Sequence, residues 1–340
     1  MMKDTPKAFL DLLDQIKPGL SRAFIESISE LTSAAQIALV EDAIRRRDVG
    51  EVVRILSIDA GAFGALDRAI QDAFIQGALW QAGVIPEFPF GRGVEKVIVR
   101  FDARAPEAER WVRDHSSQLI REIVEDQRSA VRDEVEKHLA AGRNPRVAAL
   151  DITGRIIDGR RQGGIVGLHS KQVDYVRAAR YELNSLSADY FNRKRRDKRF
   201  DSTVRKAIKD GKPLGRDRIN LIVSRYADRL LKLRGEMIAR TETLTSLHAG
   251  RLEQVRQMIE SGRVTREAVS LVWDDTGDRR TRPAHRAMDG QSIPYGDTFK
   301  GPRGSRLKHP GDGSLGAPAS MTVACRCHMR VKIDWLSMAT

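Results

Sequence analysis

Val272-Trp273-Asp274-Asp275-Thr276-Gly277-Asp278-Arg279-Arg280-Thr281-Arg282-Pro283-Ala284-His285 is the stretch on which the reading of this chain turns. An apolar pair runs into an arginine-rich polar segment, and Asp289-Gly290 follows as a turn signal. Upstream, a helix predicted from about Asn220 to Met258 carries Arg240-Thr241-Glu242 and then His248-Ala249-Gly250. Arg240 and Glu242 are two apart, so on a helix they cannot pair with each other, and each needs its own partner if buried. Downstream come Phe299, Pro310-Gly311-Asp312, Pro318-Ala319 and Cys325-Arg326-Cys327, the last before a strand-like Met329-Arg330-Val331-Lys332-Ile333.

These residues allow three kinds of chemistry. Cys325 and Cys327, if on a strand, point to one face and can share an ion, with His285 as a third ligand. A structural zinc ion would need a fourth ligand, for which His309, His328 or Asp278 are the choices; two buried thiols beside a hydrogen-bonded His is the plainer arrangement. Glu242, Asp278, His285 and Asp289 are groups a nuclease or other hydrolase uses as acid, base or metal ligand. No Ser or Cys stands in a nucleophile-elbow motif, however. The third reading is a polar network that fixes a small, loop-rich domain, with Asp278 or Glu242 paired to Arg280 or Arg240. The residues do not force a catalyst, and the network is the favoured reading.

Further upstream the chain becomes strongly basic. Between Arg193 and Arg218, twelve cations face only four aspartates, roughly +8 of an overall +13. Arg193, Lys194, Arg195, Arg196, Lys198, Arg199, Arg205 and Lys206 are the candidate nucleic-acid contacts, giving sequence-independent, salt-sensitive binding to phosphates. Tyr190, Phe191 and Phe200 flank them and are candidates for stacking on bases. A solvated helical hairpin is the competing reading of the same run. Before it, a helix is predicted from about Ser170 to Tyr190, and Gly154 to Gly167 reads as a flexible connection; it lacks the Gly-Lys-Ser/Thr tail of a phosphate loop.

A long helix is predicted after Pro106, with Leu119, Ile120, Ile123, Val124, Gln127, Val131 and Val135 on one face and Arg, Glu and Asp on the other. Gly142-Arg143-Asn144-Pro145 ends it. Val94, Val97, Ile98, Val99 and Phe101 favour a short strand, after the Pro86 and Pro89 break. Residues 8 to 85 read as helices, with Pro18-Gly19 as a break, Ser33 as a cap, Asp59 or Gly61 as a start, and a stripe of Leu66, Ile70, Phe74 and Leu79.

Composition sets the outer bounds. A pI near 10.0 favours polyanions and acidic protein surfaces as partners. No apolar run has the length of a membrane span, and the first residues lack a secretory h-region. Two cysteines are too few for a disulfide framework, which points to synthesis in a reducing cytoplasm.

Taken in order, Arg240-Thr241-Glu242, Trp273, Asp278, Arg280, Arg282, His285, Asp289-Gly290, Phe299, Pro310-Gly311 and Cys325-Arg326-Cys327 resemble the phage head morphogenesis family, the Mu F-like minor head proteins. The resemblance is strongest over about residues 230–335. Phe101-Asp102 and Ala108-Glu109-Arg110-Trp111 look like the leader of such proteins. Members often have Cys-x-x-Cys where this chain has Arg282-Pro283-Ala284-His285, so the first of those cysteines is an arginine here and the second a histidine. The resemblance implies a minor capsid protein of a tailed phage or prophage, docked at the portal protein, with scaffold or major capsid protein as further partners. It would act in procapsid assembly, DNA packaging or DNA delivery, in the bacterial host cytoplasm and then in the virion head interior or portal region. It brings no established reaction; a virion-carried nuclease or injected effector using Glu242, Asp278 and His285 is the alternative. The expected fold is mainly α with a small α+β C-terminal domain. Its expected divisions are a helical region 1–90, a central region 91–229 with a short strand, amphipathic helices and the basic segment, and the Mu F-like domain 230–340.

Overall fold

The computed structural model describes residues 4–34, 37–85 and 100–337. The helices are α1 (Pro6–Ala34), α2 (Ile37–Arg45), α3 (Val49–Ile55), α4 (Gly64–Val84), α5 (Pro106–Ala140), α6 (Pro145–Thr153), α7 (Ser170–Asn184), α8 (Asp201–Lys209), α9 (Arg216–Glu260), α10 (Pro283–Arg286) and α11 (Ala319–Thr322). The strands are β1 (Arg155–Ile157), β2 (Arg160–Gln162), β3 (Val269–Asp274), β4 (Ser292–Pro294), β5 (Phe299–Lys300), β6 (Arg306–Leu307) and β7 (His328–Ile333). The chain is thus mainly α-helical, with short strands in small sheets and an α+β region toward the C-terminal end. Among the described residues, no single helix is long and apolar enough to cross a membrane.

The chain divides into two compact units, each assembled from distant segments. The first comprises Met1–Ser21, Asp67–Ser116 and Glu236–Thr340; the second comprises Arg22–Leu66 and Ser117–Gly235.

In the first unit, β3 is the middle strand of an antiparallel sheet ordered β4-β3-β7. Trp273 pairs with Met329 and Asp274 with His328 on one side, while Leu271 pairs with Ile293 on the other. Val269, Leu271, Val272 and Trp273 are all buried, so this strand is covered on both faces, which is why it reads as an apolar run rather than an alternation. The C-terminal part of α9 presents Leu244, Leu247, Arg251, Val255 and Met258 on one buried stripe at helical spacing. Phe9 and Trp80 join the same core as Leu244, Leu247 and Trp273.

Two N-terminal expectations need correction. Pro18 lies inside α1, which continues through it. The missing N–H and the ring clash cost about 3 kcal/mol in a helix interior, and burial of Phe9, Leu13 and Leu20 on one stripe offsets that cost. Leu79 is half exposed, and the buried positions beside it are Ala78 and Trp80. Asp59 does open its segment, its side chain accepting from Gly61 N at 2.9 Å at a short 3-10 turn before α4. The strand expected over Val94 to Val99 and the cap expected from the Ser33 side chain lie outside the described residues. Phe101, included in that strand, is irregular and packs 6.2 Å from the Phe74 ring.

In the second unit, the predicted stripe of α5 is internal core. Ile120, Ile123, Val124, Val131 and Val135 are buried, whereas Arg121, Glu122, Arg132 and Asp133 are exposed. Gly154–Gly167 is not a loose connection. It forms the β1-β2 hairpin, with Gly154, Gly163, Gly164 and Gly167 at positive φ. Buried Gln127 accepts from Gly167 N and donates to the Leu168 carbonyl, while the Asp228 carboxylate accepts from Gly163 N at 2.7 Å. The glycines serve backbone-tight packing, and a Cβ on Gly163 would strike the Ser224 backbone. Helix α7 ends at Asn184, with Tyr190 in a following 3-10 turn.

Candidate functional site

Gly290 takes a positive φ of 73°, and its N–H donates to the Trp273 carbonyl at 2.8 Å. The Asp289 carboxylate meanwhile accepts from Asp275 N at 2.7 Å. The Asp-Gly turn therefore fastens the chain leaving α10 back onto the end of β3. Trp273 is fully buried and packs edge-on to Phe299 at 5.3 Å and to His285 at 5.8 Å. Sequence positions spread over more than twenty residues meet around one indole ring.

His285 lies on α10, whose first residue is Pro283, a position where a missing N–H costs nothing. Its Nδ1 sits 3.3 Å from Cys325 Sγ and 3.3 Å from Cys327 Sγ. The cysteines lie in the irregular segment just before β7, so strand alternation is not what sets their sulfurs to one side. Their sulfurs nevertheless face the same imidazole, because Ala324 takes a positive φ of 50° and turns the chain. All three side chains are buried. Burial pushes the Cys325 thiol up, but hydrogen bonds from Cys327 and His285 outweigh it and hold it well below the ordinary thiol range. Its thiolate in turn keeps the proton on Cys327, and burial adds to that upward shift. The three ligand atoms lie within 4.8 Å of one another. None of the groups considered for a fourth ligand joins them: His309 Nδ1 faces the Pro310 carbonyl, His328 lies between Asp4 and Asp274, and Asp278 binds Arg326.

Of the expected pairs, Asp278 with Arg280 forms, whereas Glu242 takes a partner from another part of the chain. Glu242 accepts from or shares a proton with His115 Nε2 at 2.7 Å, and His115 stacks on Trp111 at 4.5 Å. Asp278 receives Arg326 at 2.9 Å, closer than Arg280 at 3.5 Å. Desolvation tends to raise the Asp278 carboxyl, yet the Arg280 backbone N–H and the Arg326 charge hold it below its usual range. Arg282 donates to the Val323 carbonyl, which ties α10 to the segment carrying the cysteines. Arg240 has a buried Nη2 with no hydrogen-bond partner among the described residues; burial, then repulsion from Arg326, lowers its pKa. Between Arg240 and Glu242, Thr241 Oγ1 accepts from Ala324 N at 3.0 Å. Gly311 packs on α9, its carbonyl accepting from Thr245 Oγ1 at 3.1 Å.

A second polar centre was not singled out from the sequence. Arg251 is fully buried, with Nε donating to Gln81 at 2.8 Å, Nη2 to Asp4 at 2.8 Å and Nη1 to the Met329 carbonyl and His328. Its guanidinium lies 4.6 Å from the Trp80 ring centroid. The available signal was positional: Arg251 falls on the apolar stripe of α9, where a cation must be paired. His248, one turn before it, stacks on Phe9 at 4.4 Å. Burial holds His248 well below its ordinary pKa and lowers His309 as well.

The basic segment is more heavily paired than its charge count suggests. Arg193 binds Glu182 and Arg196 binds Asp201, both cations mostly buried. Asp197 is buried between Arg199 and Arg229. Lys194, Arg195, Lys198, Arg205 and Lys206 are exposed, and Arg205 also covers the Phe191 ring at 4.3 Å. Tyr190 is fully buried and has no face to offer a base.

Comparison with known families gives one finding: residues 198–330 match the model described as Phage Mu protein F like protein. No curated protein and no solved structure matches the chain. The match takes in α8 and α9 as well as the strands and loops that hold Trp273, His285 and the two thiols. Over residues 198–330, this chain is thus similar to the Phage Mu F-like family.

Proposed function

We propose that this chain is a minor head protein, acting at the portal in procapsid assembly, DNA packaging or DNA delivery, with the Mu F-like region as its docking domain. The family ties the chain to phage head morphogenesis, with capsid-assembly partners and a place in the assembling or finished particle. The observation that carries the reading is how the motif residues are used. Trp273, Asp278, Arg282, His285, Asp289 and Gly290 each hold one segment of the small α+β region to another.

Glu242, Asp278 and His285, the residues of the enzyme alternative, are committed separately to His115, Arg326 and the thiols. That distribution supports a scaffold in preference to a reacting centre. The exposed cations of the basic segment would add sequence-independent contact with double-stranded DNA. Scaffold and major capsid protein are further partners on this reading.

Co-expression with the portal protein of the same phage tests the proposal. The chain is expected to co-purify with the assembled portal ring and to release at high salt or on disassembly. A folded chain that never associates with ring, scaffold or capsid protein would overturn it.

A further inference from the structure

We propose that His285 Nδ1, Cys325 Sγ and Cys327 Sγ form a metal site for one zinc ion, whose fourth position is taken by a ligand from solution. The inference is independent of the portal reading, since it rests on side-chain geometry alone.

One imidazole nitrogen stands 3.3 Å from each of two sulfurs. A nitrogen carries at most one proton and can serve only one sulfur at a time in an ordinary hydrogen bond. Equal spacing to both is what a central ion demands: with Zn–S near 2.3 Å and Zn–N near 2.0 Å, tetrahedral ligands lie about 3.5 Å apart. Two sulfurs and an imidazole are also a donor set that suits zinc over magnesium or calcium.

The surroundings support the same conclusion. The three side chains are buried, so the surrounding core holds their donor atoms in place. Ala324, a non-glycine residue, is held at a φ of 50° immediately before Cys325, a conformation maintained where the chain turns to present both thiols. The ion would join α10 to the entry of β7, the same two segments that Arg282 bridges through Val323. Arg282 itself supplies no ligand, so the protein donors number three among the described residues.

The test uses the full chain purified without chelator. Elemental analysis is expected to give about one zinc per chain. Cobalt added to the metal-stripped chain should give sulfur-to-cobalt charge-transfer absorption with intense tetrahedral d–d bands. Cys327→Ser should weaken that band and lower affinity by at least tenfold, whereas Asp278→Asn should leave both unchanged. If the cysteine variant does not fold, protection of the wild-type thiols from alkylation by added zinc gives the same information. A folded wild-type chain with no bound zinc and no cobalt band overturns the proposal. So does an intrachain Cys325–Cys327 disulfide in the chain as isolated, or loss of the cobalt band in Asp278→Asn.

Discussion

Gly250 on α9 lies directly against the backbone carbonyl of Phe74 on α4, with no room between them for a side chain. The relationship is reciprocal, because Gly77 on α4 lies equally close to the backbone of Leu247. Two helical glycines, each costing about 1 kcal/mol relative to alanine in an ordinary helix, are here the condition for the helices to meet. That contact places the Arg251 and His248 side chains of α9 in the core beside Trp80 and Phe9.

Gly250→Ala and Gly77→Ala are therefore expected to destabilise the first unit by about 3 kcal/mol or more each, because the added methyl strikes backbone that cannot move aside. Gly19, exposed in α1 with open space around it, is the control. Gly19→Ala should stabilise by about 0.5–1 kcal/mol. Urea unfolding followed by tryptophan fluorescence checks both outcomes.

Arg251 supplies a second prediction. Arg251→Met leaves the Asp4 carboxylate buried beside His328 without its strongest partner, and should cost about 3–5 kcal/mol. Asp4→Asn together with Arg251→Met should cost much less than the sum of the single changes, since the pair is lost together. Denaturant midpoints of the four proteins measure that coupling.

Acid should affect the two units in different pH windows. His248 and His309 are held neutral in the fold by burial, so below about pH 6.5 the unfolded chain takes up protons that the folded chain does not. Stability of the first unit must then fall as pH drops below that value, by up to about 1.4 kcal/mol per pH unit for each histidine. In the second unit, burial raises Glu134, but hydrogen bonds from His138 and Arg177 outweigh it and bring its pKa down to about 2. Its contribution is present above the ordinary carboxylate pKa and is lost as pH falls toward about 2. Trp80, Trp111, Trp273 and Trp335 all belong to the first unit, so tryptophan emission reports that unit. The emission change is expected to be complete at a higher pH than the loss of total helicity followed by circular dichroism, which continues as the second unit unfolds. Coincident transitions confined to pH below 4 would contradict the assignment.

The basic segment gives a prediction that separates binding from folding. Replacing exposed Lys194, Arg195, Lys198 and Lys206 by Gln should leave thermal stability nearly unchanged. The slope of log affinity for duplex DNA against log salt should fall by roughly 0.9 for each phosphate contact removed. Arg193→Gln and Arg196→Gln should instead lower stability, because each leaves a shielded carboxylate, Glu182 or Asp201, without its cation.

How much of this was legible in the sequence differs by element. The α5 stripe and α9 follow from periodicity, and the grouping of His285 with the two thiols from residues whose chemistry demands partners, whereas Trp273 was marked only by the family resemblance. Pro18 misled because local breaking power was outweighed by burial of Phe9 and Leu13, which a sequence does not price. The partners of Glu242 and Arg251 were hidden for another reason. His115 lies 127 positions from Glu242, and Asp4 lies 247 from Arg251. No spacing rule reaches so far, and only the interleaving of chain segments within one unit brings them together. The glycines between Gly154 and Gly167 look alike in flexible and in tightly packed chains; their role becomes visible only with Gln127 and Asp228 in place.

A Mu F-like region that acts as a scaffold for head assembly must be present in purified heads and needed to make them. Quantitative mass spectrometry of DNA-filled heads should find the chain in a few copies per portal ring, and deleting it should sharply lower the yield of filled heads. Normal numbers of filled heads made without the chain, and none of it in wild-type particles, would contradict the claim.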